Sequence, residues 1–161
     1  MEMLAVDVVG IRKDYPLGKT VVRALRTVSL QVNAGEFIAV AGPSGSGKTT
    51  LLNLIGCIDV PTEGSVRIDG RAAEHLSDAE RTNLRLHTLG FIFQSFNLVA
   101  VLTVFQNIEL PLLLQGGLTD AERRRRVLQA AEDVGLTPQL RHKPNELSGG
   151  QRQRVAIGRA L

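Results

Sequence analysis

Apolar positions in this chain fall first at strand spacing and later at helical spacing. Leu4 to Val9 alternates weakly and is rich in β-formers, as are Val21-Val22 to Leu25 and Val28 to Val32. Asn33-Ala34-Gly35 is a turn signal. It leads into Glu36-Phe37-Ile38-Ala39-Val40-Ala41, a short apolar run that reads as a buried strand. Leu51-Leu52-Asn53-Leu54-Ile55 then continues at helical spacing. Pro61 to Gly64 is another turn, followed by Ser65-Val66-Arg67-Ile68 and the pair Asp69-Gly70. These short runs predict an antiparallel sheet beside a core built on the strand Glu36–Ala41.

Ser77-Asp78-Ala79-Glu80 is a capping box that opens a helix through about Leu86. Gly90 breaks that pattern, and Phe91-Ile92-Phe93 reads as a second buried strand ending at Gln94. From Ser95 on the chain reads as helical. Val104 to Leu114 is one helix, expected to stop or kink near Pro111. Gly116-Gly117 is a loop, and Thr119-x-x-Glu122 is a second capping box. The helix it opens runs to Val134 and ends at Gly135, with an apolar stripe of Val127, Leu128, Ala131 and Val134. Pro138 and Pro144 mark a loop, and Ser148 starts a last helix reaching Leu161.

The first candidate chemistry sits between the strand Glu36–Ala41 and the helix that follows it. Gly42-Pro43-Ser44-Gly45-Ser46-Gly47-Lys48-Thr49-Thr50 is a Gly-x-x-x-x-Gly-Lys-Thr run. Strand, glycine loop, helix is the context that makes this pattern a P-loop. Glycines let the backbone turn tightly and approach a ligand with no Cβ in the way. Successive N–H groups can then cradle phosphate oxygens at a helix N-terminus, where the dipole favours anions. Lys48 would reach the β- and γ-phosphates as a point charge, and the Thr49 hydroxyl would ligate Mg²⁺.

Composition narrows the picture. The chain has 161 residues, 43% hydrophobic and 22% charged, the balance of an ordinary globular protein of one domain or two lobes. A net charge of +3 is mildly basic and does not argue for nucleic acid. One Tyr, five Phe and no Trp leave few stacking platforms for bases, so no nucleic-acid partner is expected. The single cysteine, Cys57, cannot form an internal disulfide, which fits a reducing compartment. Met1-Glu2-Met3-Leu4, with Asp7 in the first apolar stretch, shows no signal-peptide pattern. No apolar run approaches the ~20 residues of a membrane helix. If the protein serves a membrane, a partner chain crosses it. Arg123 to Arg126 reads as a solvated basic face, with a lipid-headgroup or partner contact as the alternative. His75, His87 and His142 have no metal-ligand spacing.

Leu147-Ser148-Gly149-Gly150-Gln151 is the second decisive stretch. By itself, Ser148 with Gln151 is an ordinary capping box holding two glycines. The functional reading is a second helix start that faces phosphate, with glycine N–H groups exposed and the Ser148 hydroxyl as a further donor.

A P-loop followed by Leu147–Gln151, with Gln94 after an apolar run between them, resembles the nucleotide-binding domain of ABC transporters. Leu76-Ser77-Asp78-Ala79-Glu80-Arg81, Leu89 to Leu98 and Asn107-Ile108-Glu109-Leu110-Pro111-Leu112 are similar to the ATPases of the lipoprotein-release and macrolide-export group. The resemblance covers about Leu4 to Leu161. It implies an α/β P-loop NTPase fold of ABC type, incomplete: an antiparallel β subdomain, a partial parallel core and a helical subdomain. It places the β subdomain and nucleotide-binding core at 1–94 and the helical signature subdomain at 95–161.

The resemblance also implies roles. Tyr15 would stack on the adenine of ATP; an exposed turn tyrosine beside Pro16 is the plainer reading. Gln94 would touch Mg²⁺ or the attacking water, whereas its residue type alone says only a polar strand end. Leu147 to Gln151 would face ATP held by the P-loop of a second subunit, in a homodimer or a dimer with another ABC ATPase. Phe96 to Leu114 would form the groove where a membrane-spanning permease subunit docks. The protein would then sit in the cytoplasm, peripheral on the inner face of the plasma membrane.

The family's Asp-Glu strand end, its following Asp loop and its single His find no match, so no catalytic residue is assigned. Leu54 to Asp59 and Val66 to Asp69 have an apolar-then-Asp look, but neither is placed where a second core strand is required. Assistance to the attacking water is typically worth ~10²–10⁴ in rate, so this chain alone is expected to hydrolyse ATP very slowly. The segments Phe37–Val40 and Phe91–Phe93 are expected to lack lateral neighbours, leaving apolar faces exposed. The function expected is an ATP-binding subunit coupling ATP binding and hydrolysis to export or lipoprotein extraction. The alternatives are a non-catalytic ATP-binding fragment or a regulatory module that pairs with a full-length ATPase, and a soluble ABC ATPase of translation or DNA repair.

Overall fold

The computed structural model describes residues 4–161. Met1 to Met3, which belong to the stretch read for a targeting signal, lie outside the described residues. The chain divides into two compact units, one ending at Arg85 and one spanning Leu86–Leu161.

The first unit carries a four-stranded sheet. β1 (Leu4–Leu17) and β2 (Thr20–Asn33) form a long hairpin closed by Gly18-Lys19, with Gly18 at φ 59°. β3 (Glu63–Ile68) pairs antiparallel with β1, and the short β4 (Arg71–Ala72) pairs with β3, giving the order β2-β1-β3-β4. The β3–β4 turn is the Asp69-Gly70 pair, at φ 46° and 75°, the two positive values that a tight hairpin turn matching strand twist requires. The antiparallel sheet expected from the alternation is therefore formed.

A bulge explains why β1 alternates only weakly. Register slips between Val8 and Ile11, and Gly10 there has φ 56°. The extra residue lets Val8 and Ile11, three apart, both point inward, where they are buried with Val66 and Ile68. Likewise the two runs Val21–Leu25 and Val28–Val32 are one strand, bent where Thr27 takes φ 51°.

α1 (Lys48–Ile55) follows the glycine loop and buries Leu51 and Leu54. α2 (Asp78–Thr88) begins at the predicted capping box: Ser77 N–H donates to Glu80 at 2.8 Å, and Glu80 N–H donates to the Ser77 hydroxyl at 3.3 Å.

The second unit is helical, as expected. α3 (Val104–Gln115), α4 (Asp120–Asp133) and α5 (Gly149–Ala160) enclose a core of Val104, Ile108, Val127, Ala131, Leu136, Leu147 and Val155. α3 does not stop at Pro111. Its buried Val104, Asn107 and Ile108 anchor the turns before the proline, and the helix runs on to Gln115, whose amide donates to the Leu86 carbonyl at 2.7 Å. α4 ends where predicted, with Gly135 at φ 65°. Leu128, placed in its apolar stripe, is instead 36% exposed; Val127 and Ala131 carry the buried face.

Neither core strand is formed. Glu36–Ala41 and Phe91–Phe93 are irregular, and no strand pairs with either among the described residues. An unpaired strand leaves its N–H and C=O groups without ladder partners. Phe37 is 94% exposed, so the stretch read as a buried strand is solvent-facing here. The partial parallel core is thus present as sequence without parallel pairing among the described residues.

Candidate functional site

In the first unit the glycine loop arrives at α1 with the Ser46 N–H turned onto the Pro43 carbonyl at 3.3 Å and the N–H groups of Gly45 and Gly47 without a partner among the described residues. Gly45 and Gly47 have φ 80° and 90°, and Gly47 is the residue before the helix. No side chain caps α1. The first helical N–H groups therefore remain available, and the helix dipole makes that end attractive to anions. Lys48 Nζ folds back over the loop and donates to the Gly42 and Pro43 carbonyls at 2.8 Å each. A cation over the mouth of an N–H cradle fits a phosphate chain. A Cβ at Gly47 would lie 2.7 Å from the Ala24 carbonyl oxygen, so this loop rests directly on β2. Gly42 to Ser46 and Thr49 are exposed; Gly47, Lys48 and Thr50 are half-buried.

Tyr15 lies on β1 with its hydroxyl donating to Asp59 Oδ2 at 2.7 Å. Lys13 Nζ donates to Asp59 Oδ1 at 2.6 Å and to the Val60 carbonyl at 2.7 Å, and lies 4.9 Å from the centre of the Tyr15 ring. Burial alone would raise the Asp59 pKa, but hydrogen bonds from Lys13, Tyr15 and the Val60 N–H outweigh it and hold the carboxyl below its ordinary value. Burial, and then the neighbouring Asp59 anion, push the Tyr15 phenol above its ordinary value. Both Asp59 oxygens are thus engaged. The apolar-then-Asp run ending there is a structural clamp on the chain leaving α1.

In the second unit Gln94 is exposed in a turn, and its side chain makes no hydrogen bond among the described residues. The segment after it is fixed from two sides. Asn107, fully buried on α3, accepts from Val99 N–H at 2.9 Å and donates to the carbonyls of Val99, Leu102 and Thr103. Arg159, in the last turn of α5, donates to the carbonyls of Phe96 and Asn97 at 2.7 Å each. Burial pulls the Arg159 pKa down.

Leu147 is in the core, whereas Gly149 and Gly150 are exposed, with open space where a Cβ would stand. Ser148 caps α5: Gln151 N–H donates to its hydroxyl at 3.3 Å, and its own N–H donates to Gln151 Oε1 at 2.8 Å. The Thr119 box differs. There the hydroxyl also donates to Glu122, at 2.7 Å. With Gln in place of Glu, the Ser148 hydroxyl proton has no acceptor among the described residues, and the helix start carries no carboxylate. Both differences favour an incoming anion.

Arg123 departs from a solvated basic face. It bridges α4 to Glu109 of α3 at 2.8 Å and pairs with Asp120 at 2.6 Å, while Arg124 lies over Phe105.

The sequence reading missed Lys13, Asn107 and Arg159. A lysine inside an alternating apolar strand and an asparagine at an inward helical position were the available signals for the first two. Arg159 carried none, because its partners are backbone carbonyls sixty-odd residues away.

A family model described as ABC transporter matches residues 25–161. The chain is 48% identical over 155 residues to the uncharacterized ABC transporter ATP-binding protein MJ0796 of Methanocaldococcus jannaschii, covering 94% of this chain and 66% of that protein. It is 44% identical over 156 residues to the macrolide export ATP-binding/permease protein MacB of Bdellovibrio bacteriovorus, covering 97% of this chain and 24% of that protein. Its fold matches the dimeric post-hydrolysis structure of the MJ0796 cassette bound to ADP and Pi, with a TM-score of 0.92, 47% identity, and coverage of 97% of this chain and 68% of that one. The chain thus spans about two thirds of the length of the MJ0796 relative and about a quarter of the ATP-binding/permease one.

Proposed function

The chain belongs to the ABC transporter family, and from that premise we propose that it is an ATP-binding portion of an ABC transporter, serving export or lipoprotein extraction through membrane-spanning partners. The observation that carries this reading is the uncapped start of α1, with Lys48 held over the glycine loop. Gly42 to Thr50 hold the phosphate tail by backbone N–H groups and the Lys48 ammonium. Tyr15, its hydroxyl pinned by Asp59, presents a preset ring to the adenine. The Thr49 side chain, free of protein partners among the described residues, would supply an oxygen to Mg²⁺; in the second unit the Gln94 side chain is likewise unengaged and would be open to a ligand. When bound, ATP supplies the transferable phosphoryl group and Mg²⁺ neutralises its charge.

Leu147 to Gln151 face the nucleotide of a second subunit, a like copy or another ABC ATPase. Solved structures of the MJ0796 cassette are dimeric, which supports this pairing. No helix among the described residues is long and apolar enough to cross a membrane. A membrane-spanning permease is proposed to dock against Phe96 to Leu114, a reading supported by the ATP-binding/permease relative. The protein then works at the inner face of the membrane.

The test is Lys48→Ala with a fluorescent ATP analogue. Loss of charge-assisted bonds to phosphate is expected to weaken binding by roughly ten- to a hundred-fold. Unchanged affinity would refute the assignment of the site.

A further inference from the structure

We propose that Arg159 is a positioning residue that straps the segment after Gln94 to the helix that starts at Ser148, so that the two move as one body. The proposal rests on the reading of Gln94 and Leu147–Gln151 given above. Ser148 begins α5 and Arg159 lies in its last turn. At that far end the helix meets the Gln94 segment twice. A Cβ at Gly90 would stand 2.4 Å from the Ala160 carbonyl oxygen, so the chain entering the segment lies directly on the end of α5. The chain leaving it is held by the guanidinium, whose two arms take the carbonyls of Phe96 and Asn97 at 2.7 Å each. Gln94 therefore sits in a loop whose two feet are both planted on α5.

The backbone at the second foot is in an uncommon state. Phe96 and Asn97 both have left-handed conformations, φ 62° and 47°, which non-glycine residues adopt only where surroundings enforce them. Two successive residues of this kind turn their carbonyls the same way. That makes a site for a planar, two-armed cation, and a lysine ammonium cannot span it in the same manner. The helix end of the strap is rigid. Val155, Ala156 and Gly158 are buried, and a Cβ at Gly158 would lie 3.3 Å from Ile108 Cδ1. A tilt of α5 imposed at Ser148 would be carried along the helix and delivered to Phe96-Asn97. A push on the segment would travel back the same way.

Amide hydrogen exchange on the full chain, with and without ATP and Mg²⁺, tests this in wild type, Arg159→Gln and Arg159→Lys. In both variants the amides of 94–99 are expected to exchange about tenfold faster or more, because two charge-assisted bonds are lost. MgATP should slow exchange of 96–99 and 147–151 together in wild type. In the variants only 147–151 should still respond. Unchanged exchange at 94–99 in Arg159→Gln, wild-type behaviour of Arg159→Lys, or loss of both responses together with a lowered melting temperature would each overturn the proposal. A wild-type chain in which MgATP slows exchange at 42–50 but at only one of the segments 96–99 and 147–151, or at neither, would also overturn the proposal, whereas one in which 42–50 ignores MgATP would sink the ATP-binding reading instead.

Discussion

Lys13 Nζ stands 2.6 Å from Asp59 Oδ1, joining the first strand of the sheet to the chain that leaves the P-loop helix. The lysine side chain is 11% exposed and the carboxylate 27%, so this pair is neither a surface bridge nor a fully desolvated one. Tyr15 closes the group from the same strand face, two residues on. The proposed adenine-facing ring is thereby referenced to α1, the helix that begins at the proposed phosphate cradle.

Asp59→Asn is expected to cost about 1–2 kcal/mol, less than a fully buried pair would because water reaches the carboxylate. The pH dependence follows from the two directions. The Asp59 carboxyl is held below its ordinary 3.8, so its contribution is present above that value and is lost as pH falls through the lower folded value. The Tyr15 phenol is raised above 10.0, so its contribution holds below that value and is lost as pH rises through the higher folded one. Urea unfolding from about pH 2 to about pH 11 should show a plateau between these limits, and Asp59→Asn should flatten the acid limb. An acid limb unchanged in the variant would refute the clamp.

Asn107→Leu keeps the volume but removes four hydrogen bonds from a fully buried side chain. Val99 N–H and the Leu102 carbonyl lose their partner, while the Val99 and Thr103 carbonyls keep backbone donors, Leu102 N–H and Asn107 N–H. A loss of about 2–4 kcal/mol is expected, with faster amide exchange at 99–103, the stretch proposed to meet the membrane partner. A variant as stable as wild type would show that water satisfies those groups equally well.

Gly47→Ala tests the close approach of the P-loop to β2. The added methyl would meet the Ala24 carbonyl oxygen and Leu25 Cδ2 at 2.7 Å each, at a φ of 90° that alanine resists. We expect a cost of about 2 kcal/mol or more. Weakened ATP binding should accompany it, while Gly45→Ala, with φ 80° but nothing within 4 Å, should cost less. Equal costs at the two positions would mean that backbone strain alone matters and the contact with β2 does not.

These particulars show where the sequence was legible. Capping boxes at Ser77, Thr119 and Ser148 formed as written, because a helix start depends on four residues that are neighbours in the chain. The Asp69-Gly70 hairpin was legible for the same reason. Glu36–Ala41 and Phe91–Phe93 were read as strands from apolar runs, but a strand is completed only by a partner, and none lies beside them among the described residues. The P-loop and Leu147–Gln151 were visible as motifs, since their chemistry is local. Lys13 and Arg159 were not, since what they hold lies far along the chain; Asn107 was not, since its nearby partners are backbone groups of an irregular stretch that carry no residue-type signal.

Gln151→Glu separates capping from anion recognition at the second helix start. A glutamate there should cap α5 at least as well, by accepting from the Ser148 N–H and complementing the dipole, a gain of about 0.3–1 kcal/mol. It should also capture the Ser148 hydroxyl proton, as Glu122 does for Thr119 and Glu80 for Ser77. The proposed face toward a second subunit's ATP would then carry a negative charge and lose a donor. The expected outcome is a melting temperature equal to or above wild type, unchanged ATP binding to the P-loop, and ATP-dependent self-association weakened about tenfold, read by light scattering. The control Glu122→Gln on α4, which makes the opposite exchange at a helix start outside Leu147–Gln151, should leave association untouched. If Gln151→Glu associates as wild type does, the glycine start of α5 is a cap and nothing more.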